Sequence, residues 1–152
     1  MAANLTQGRS EAIRLALFLG LPKAEKMSDL RLVESVEKGL PTSSAVKLVQ
    51  RIDPTGQFLH VTDIIPKSTY HRRVKNKQPL TKEESEKVFG LSKVILEAMR
   101  QFHGDSKLAS HFLLKEHPML GKRTPMDLAK DSTAGAELVL KLLAQAEAGV
   151  AA

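Results

Sequence analysis

The chain has 152 residues, of which 23 are Lys or Arg and 17 are Asp or Glu, so its formal net charge is +6 with histidine neutral. A hydrophobic content of 42% is ordinary for a globular protein and too high for disorder throughout. The absence of cysteine excludes a disulfide framework and a thiolate metal site, and is typical of a reducing compartment. We therefore expect a cytoplasmic protein that forms one compact domain or two small domains with a shared core.

The positive charge is concentrated in one segment. Residues 67–82 contain six basic residues and no acidic residue, whereas acids and bases nearly balance in the rest of the chain. A local excess of this kind indicates a polyanionic partner more than general solubility. The neutral remainder has little reason to contact nucleic acid. Since the chain has five Phe, one Tyr and no Trp, an aromatic stacking platform for single strands is not favoured.

Residues 1–27 contain one apolar stretch, between Ala12 and Leu21. This stretch is interrupted by Arg14 and is too short to span a bilayer. It predicts either a helix through Ile13, Leu17 and Leu21 or a flexible arm, and the sequence does not decide between them.

The next elements are predicted by helix start and stop signals. A helix begins after the capping Ser28 and ends before Gly39. A second begins at Thr42 or Ser43 and ends at the turn of residues 53–56. Both predictions place helices directly before the basic segment.

A short helix is predicted between residues 57 and 65, where Phe58, Val61 and Ile65 have helical spacing, although the β-branched content makes a strand conceivable. Pro66 suits the first position of the following helix, residues 67–75, because its missing N–H costs nothing there. Two helices joined by a tight turn, the second short and basic, form the pattern of a helix-turn-helix.

The basic helix is predicted to sort into two faces. Tyr70 and Val74 are spaced to pack inward. A polar stripe that suits a DNA major groove is formed at i, i+3, i+4 and i+7 by Ser68, His71, Arg72 and Lys75. The alternative is a solvated basic surface without a ligand. The residues predicted to bind DNA are Lys67, Ser68, Thr69, His71, Arg72, Arg73, Lys75 and Lys77.

A long helix follows, and Thr81 with Glu84 predicts its capping box. Its apolar residues are spread over more than one face, which indicates burial by two neighbours, often including a second subunit. Gly104 is predicted to end it. The residues predicted to form a dimer contact are Val88, Leu91, Ile95 and Met99.

The last third predicts three further helices and no strand, so the fold class is all-α. The first is capped by Asp105 or Ser106, and Thr124-Pro125 is a strong start signal for the second. The third is predicted from Thr133 to Ala148, with Gly149 ending it and residues 150–152 left as a free tail.

Catalytic and metal-binding motifs are not evident. The five histidines show no spacing typical of zinc ligands. The loop at Gly121-Lys122-Arg123-Thr124 lacks the residues that a phosphate-binding loop requires. We therefore expect no enzyme activity, no metal and no cofactor.

Two parts of the sequence are similar to one family. The stretches IPKSTYHRR (65–73) and PLTKEES (79–85) resemble the signature of Xre/MbcA/ParS-type antitoxins. Downstream, PMLGKRTPMDL (118–128) resembles the toxin-binding domain of that family, and Gly135 and the stretch EAGV (147–150) also fit it.

The resemblance implies a Cro/Xre-like helix-turn-helix domain followed by a small helical toxin-binding domain. It implies a partner toxin of the RES-domain type, which consumes NAD, and an antitoxin that blocks the toxin active site and represses its own promoter. The implied state is a homodimer inside a larger toxin–antitoxin complex, without a membrane. The expected divisions are an N-terminal extension (1–27), the DNA-binding domain (28–80), a connecting and dimerisation helix (81–103) and the toxin-binding domain (104–152).

The toxin contact is expected in a loop and at the C-terminus. Family members often carry an aromatic residue after the Gly-Val pair, whereas this chain has Ala151, so its tail buries less apolar surface in a cleft. The residues expected to bind the toxin are Lys122, Arg123, Thr124, Glu147, Gly149, Val150, Ala151 and Ala152.

Two other functions fit the residues. One is a stand-alone dimeric helix-turn-helix transcriptional regulator without a toxin partner. The other is an adaptor whose basic helix contacts a protein. The antitoxin and the regulator both bind DNA, so a steep salt dependence of DNA affinity distinguishes them from the adaptor.

Overall fold

The computed structural model describes residues 8–151, with side chains as far as residue 146. The described part is built from helices and turns, with one isolated β-bridge between His117 and Arg123, which confirms the all-α prediction. No helix in it is long and apolar enough to cross a membrane. The helices are α1 Glu11–Leu19, α2 Asp29–Lys38, α3 Thr42–Ile52, α4 Val61–Ile64, α5 Lys67–Lys75, α6 Lys82–Gln101, α7 Ser106–Leu114, α8 Pro125–Asp131 and α9 Thr133–Ala151.

Helix α6 is the centre of the fold. It begins at the predicted capping box, where the Thr81 hydroxyl accepts the Glu84 N–H and Glu84 accepts the Thr81 N–H. It packs against α1, α2 and α3 and also against α7, α8 and α9. A helix that is apolar on more than one face is therefore covered by neighbours of its own chain.

This packing corrects the residues predicted for subunit contact. Val88, Leu91 and Ile95 are fully buried and Met99 is 4% exposed in the single chain. A second subunit cannot reach them without opening the core. The sequence showed that two neighbours are needed, but it could not show that helices α1 to α3 on one side and α7 to α9 on the other supply both.

Residues 11–19 form a helix that belongs to the core, which settles the choice left open by the sequence. Leu15 and Leu19 are buried, and Ser10 caps the helix by accepting the Ile13 N–H. The buried Ser44 hydroxyl of α3 donates to the Leu19 carbonyl at 2.6 Å. Helix α1 is thus hydrogen-bonded to the elements that precede the basic helix.

Three helix starts differ from the prediction. Helix α3 has Pro41 at its N-cap, without a side-chain cap, because Thr42 is already helical. Pro66 likewise occupies the N-cap of α5 rather than its first turn. The short helix predicted from Gln57 is confirmed only from Val61, after a bend at residues 57–58.

The predicted end of the last helix is wrong. The backbone of α9 stays helical through Gly149 to Ala151, so Val150 and Ala151 are not a free tail. A glycine inside a helix costs about 1 kcal/mol but ends it only when the chain turns there. The side chains of residues 147–151, and all of Ala152, lie outside the described residues.

Two glycines permit close backbone approach. A Cβ on Gly135 of α9 would lie 1.9 Å from the Leu128 carbonyl oxygen of α8. Gly39 has φ +109° after α2, and a Cβ there would lie 2.2 Å from the Leu80 carbonyl oxygen. Each therefore allows a contact that any other residue would obstruct.

Candidate DNA-binding and toxin-binding surfaces

Helix α5 is held to the fold by few apolar contacts. Ile64 and Ile65 are buried just before it, and Tyr70 packs half-buried against the core, whereas no residue of α5 is fully buried. Most of its polar side chains consequently face solvent. The predicted DNA-binding residues that are exposed are Lys67, Ser68, His71, Arg72, Lys75 and Lys77, while Thr69 is half-buried.

Arg73 does not belong to this exposed set. Its Nε donates to Glu84 Oε1 at 2.9 Å, and the two side chains are only 15% and 19% exposed. Arg73 therefore links α5 to α6, and its predicted contact with DNA is corrected to this internal role. The two residues are eleven positions apart in the chain, and their sequence spacing does not show that the fold brings their side chains together.

The pKa of Glu84 reflects this link. Burial on its own raises the pKa of the carboxyl, but the N–H of Thr81 and the guanidinium of Arg73 outweigh it and hold the pKa below its ordinary value. The carboxylate is therefore charged at neutral pH. One of the six positive charges of residues 67–82 is neutralised inside the fold.

Val74 was predicted to pack inward, and this is wrong, because its side chain is 47% exposed. Tyr70 alone provides the inward apolar contact that the pair was expected to share. The exposed Val74 therefore adds an apolar side chain to the basic surface of α5. Such a group can contact a thymine methyl in the major groove.

Lys77 occupies the left-handed region at the end of α5, with φ 53°. Its N–H donates to the Val74 carbonyl at 3.2 Å and the Gln78 N–H donates to the Arg73 carbonyl at 2.9 Å. This is the Schellman pattern, in which glycine is the usual residue. A lysine there places a cation just beyond the helix end at a cost in backbone strain.

The turn that leads to α4 and α5 is organised by the buried Asp53. Its Oδ2 accepts the N–H groups of Phe58 at 2.6 Å and Leu59 at 2.8 Å, and Oδ1 accepts the Thr55 hydroxyl at 3.2 Å. Burial raises the pKa of Asp53, but these donors outweigh burial and leave the pKa below its ordinary value. The carboxylate thus fixes the path of the chain into the basic helix.

A second exposed feature is the loop of residues 115–124, here called the Met119 loop. The His117 N–H donates to the Arg123 carbonyl at 3.1 Å, and Gly121 and Lys122 both have positive φ, which reverses the chain. Met119, at the turn, is 74% exposed. The loop presents a large flexible apolar side chain beside two cations.

The predicted toxin-binding residues have different roles in this loop. Lys122 is exposed, and Arg123 pairs with Asp131 at 3.0 Å on the surface, where both side chains stay about half exposed. Such a pair contributes little to stability and can exchange partners. The Thr124 hydroxyl accepts the Asp127 N–H at 3.0 Å, so it caps α8.

Met119 is not among the residues that the sequence predicts to bind the toxin. It lies in the stretch 118–128 that resembles the toxin-binding domain, but no pattern there shows that Met119 is exposed while Leu120 is buried. Among the predicted C-terminal residues, Gly149 lies in the helical backbone, and the side chains of Glu147, Val150 and Ala151 lie outside the described part. Within that described part, no group of three His, Cys, Asp or Glu residues could hold a metal ion.

The two surfaces fall in two family matches. Residues 31–93 match the antitoxin Xre-like helix-turn-helix domain, and residues 98–149 match the antitoxin Xre/MbcA/ParS C-terminal toxin-binding domain. The chain is thus a two-part antitoxin in which a helix-turn-helix precedes a toxin-binding domain. It belongs to the Xre/MbcA/ParS antitoxins, which confirms the resemblance seen in its motifs.

A curated relative supports this assignment. The Prs ADP-ribosylating antitoxin of Sphingobium sp. (strain YBL2) is 28% identical to the chain over 122 residues, covering 75% of this chain and 76% of that protein.

Proposed function

We propose that this antitoxin neutralises a RES-type toxin that consumes NAD, by covering the toxin active site, and that it represses its own promoter through α5. The observation that carries the proposal is the separation of two exposed surfaces in one fold. One is the acid-free α5, and the other is the Met119 loop in a unit whose charges balance. We propose that these surfaces act in a homodimer within a larger complex.

The operator half of the proposal follows from the exposed side chains of α5. Arg72 has the geometry for bidentate contact with guanine, and Ser68 and His71 suit adaptable contacts to base edges. We assign Lys67, Lys75 and Lys77, which are exposed beside them, to phosphate contacts. Because Arg73 is bound to Glu84, at most five of the six cations of residues 67–82 are left for DNA.

The toxin half of the proposal is supported by the relative and by the Met119 loop. The relative is named for ADP-ribosylation, a reaction in which NAD is the donor of the ADP-ribose group. Met119 can bury an apolar side chain against a partner, while Lys122 and Arg123 can pair with acidic groups at the rim of a cleft. Since Ala151 offers little apolar surface, we assign a large part of the contact to this loop.

The proposal is tested by co-expression with the toxin-sized protein of the adjacent gene. We expect Met119→Asp to lose co-purification with the toxin and to keep operator binding. Arg72→Ala, a matched surface change on the other domain, should keep the toxin and lose operator affinity. If Met119→Asp and Arg72→Ala both leave the toxin bound, the Met119 loop is not the contact. If no adjacent protein binds at all, the chain acts as a regulator without a toxin.

A further inference from the structure

A groove lies between the turn after α3 and helix α7. It has a volume of about 500 Å³, in the range of pockets that hold ligands or large side chains. Ile52 and Leu114 line it with apolar surface, and Phe58 beside it is 70% exposed. An exposed phenylalanine next to an apolar groove indicates a surface that a partner covers.

The rim of this groove is basic. Arg51, Lys107 and Lys115 line it, and the two lysines are exposed. Asp53 is the acidic residue in the lining, but its carboxylate is buried and engaged by the N–H groups of Phe58 and Leu59. The occupant that fits is therefore an element with apolar side chains and acidic neighbours.

Helix α2 of the same chain has that composition on its outer face. Leu30 is 67% and Val33 is 52% exposed, although both are large apolar residues. Glu34 and Glu37 are exposed, and the positions 30, 33, 34 and 37 follow the helical i, i+3, i+4, i+7 spacing. Helix α2 therefore presents an exposed apolar stripe with two carboxylate side chains beside it.

The opposite face of α2 is already used. Leu32 and Val36 are buried, and α2 packs on α6 and α1. No residue of α2 lines the groove, so the chain does not fill its own groove with this helix. Arg31 and Lys38, the basic residues of α2, lie to one side of the stripe because each residue turns 100° about the axis. The acidic stripe and the basic groove are thus separate, complementary surfaces of one molecule.

We infer that the groove receives α2 of a second copy of this chain, with Leu30 and Val33 against Phe58 and Leu114, and with the two glutamates against the basic rim. Exchanged reciprocally about a two-fold axis, the contact closes a dimer and covers the exposed apolar side chains of both copies. This inference rests on the homodimer of the proposed function and names its contact. The chain without toxin or DNA tests it, so the contact can fail while toxin neutralisation and operator binding hold. It places a subunit contact at α2 and α7.

Charge reversal tests the pairing with the full-length chain. The helix variant carries Glu34→Lys and Glu37→Lys, and the groove variant carries Lys107→Glu and Lys115→Glu. Sedimentation equilibrium over a range of concentrations measures self-association. We expect the wild type to dimerise and each variant alone to dimerise roughly 100-fold more weakly, since like charges placed together cost several kcal/mol.

The decisive measurement is the self-association of a mixture of the two variants. A mixed dimer has one wild-type contact and one contact with both charges reversed, so the mixture should recover dimers that neither variant forms alone. A control variant, Glu83→Lys with Glu86→Lys on the exposed face of α6, should dimerise like the wild type. Circular dichroism melting establishes that every variant is folded.

Three results would overturn the inference. The first is a wild type that stays monomeric up to the highest soluble concentration, and the second is dimerisation unaffected by either charge reversal. The third is loss of dimers in both variants without recovery in the mixture, which would mean that the two surfaces do not contact each other. A wild-type monomer whose groove variant fails to bind the toxin would assign the groove to the toxin instead.

Discussion

Two adjacent arginines of α5 should respond oppositely to replacement by alanine. Arg72 is exposed to solvent, whereas Arg73 is mostly buried against Glu84. Arg72→Ala should weaken operator binding and leave the free energy of unfolding within about 0.5 kcal/mol of the wild type. Arg73→Ala should lower the free energy of unfolding and leave the salt dependence of DNA binding nearly unchanged.

The magnitude for Arg73 follows from its contact. Its guanidinium donates at 2.9 Å to a carboxylate that also accepts the Thr81 N–H. Losing a hydrogen bond to a charged group costs about 1.5–3 kcal/mol. Because the folded pKa of Glu84 lies below the ordinary 4.5, its stabilisation is present above that pH and is lost as pH falls further. The difference between wild type and Arg73→Ala should therefore shrink below pH 4.5.

The magnitude for Arg72 follows from counterion release. Each phosphate contact contributes about −0.9 to the slope of log affinity against log salt. One such contact therefore makes the affinity at 0.15 M salt about fivefold higher, relative to the affinity extrapolated to 1 M. Bidentate contact with guanine would add about 1–3 kcal/mol of discrimination between bases. Operator binding measured by fluorescence anisotropy at several salt concentrations, with urea unfolding in parallel, gives both quantities. The reasoning is refuted if Arg73→Ala lowers the salt slope as much as Arg72→Ala does.

Three further predictions test other parts of the fold. Lys77→Gly should raise the free energy of unfolding by about 1 kcal/mol in a thermal melt, because it relieves a positive φ, while anisotropy should show weaker operator binding. Gly135→Ala should destabilise the protein by about 3 kcal/mol or more, because the added Cβ clashes with Leu128. Gly90→Ala should stabilise α6 by about 0.5–1 kcal/mol, because a Cβ there has ordinary contacts. Urea unfolding that gives both changes the same sign would contradict this reasoning. Asp53→Asn should cost about 1–3 kcal/mol at neutral pH, and its difference from wild type in unfolding experiments should shrink as pH falls below 3.8, where the wild-type carboxylate gains its proton.

The helices and the basic segment could be predicted because their signals are local. The cap at Thr81, the proline at 125 and the spacing of apolar residues act within a few positions, and the structure has helices where they indicate. The prediction for the end of α9 was wrong for the same reason, since Gly149 alone does not show whether the next residues turn. Tertiary context decides that.

The site residues that sequence reasoning misplaced depend on contacts distant in the chain. Arg73 looked like its exposed neighbour Arg72 because only the fold brings Glu84 within 2.9 Å. Val88 looked like a subunit contact because the neighbours that cover α6 could not be located from its own pattern. Met119 was overlooked because a single loop methionine has no periodicity to show that it faces solvent.

The most direct test of the proposed neutralisation is a titration of NAD consumption. The toxin from the adjacent gene is purified and its loss of NAD is followed as the full chain is added. We predict that NAD consumption falls to the background level at a fixed molar ratio, that Arg72→Ala inhibits equally well, and that Met119→Asp requires a large excess. A toxin that keeps consuming NAD at saturating wild-type chain would contradict the account.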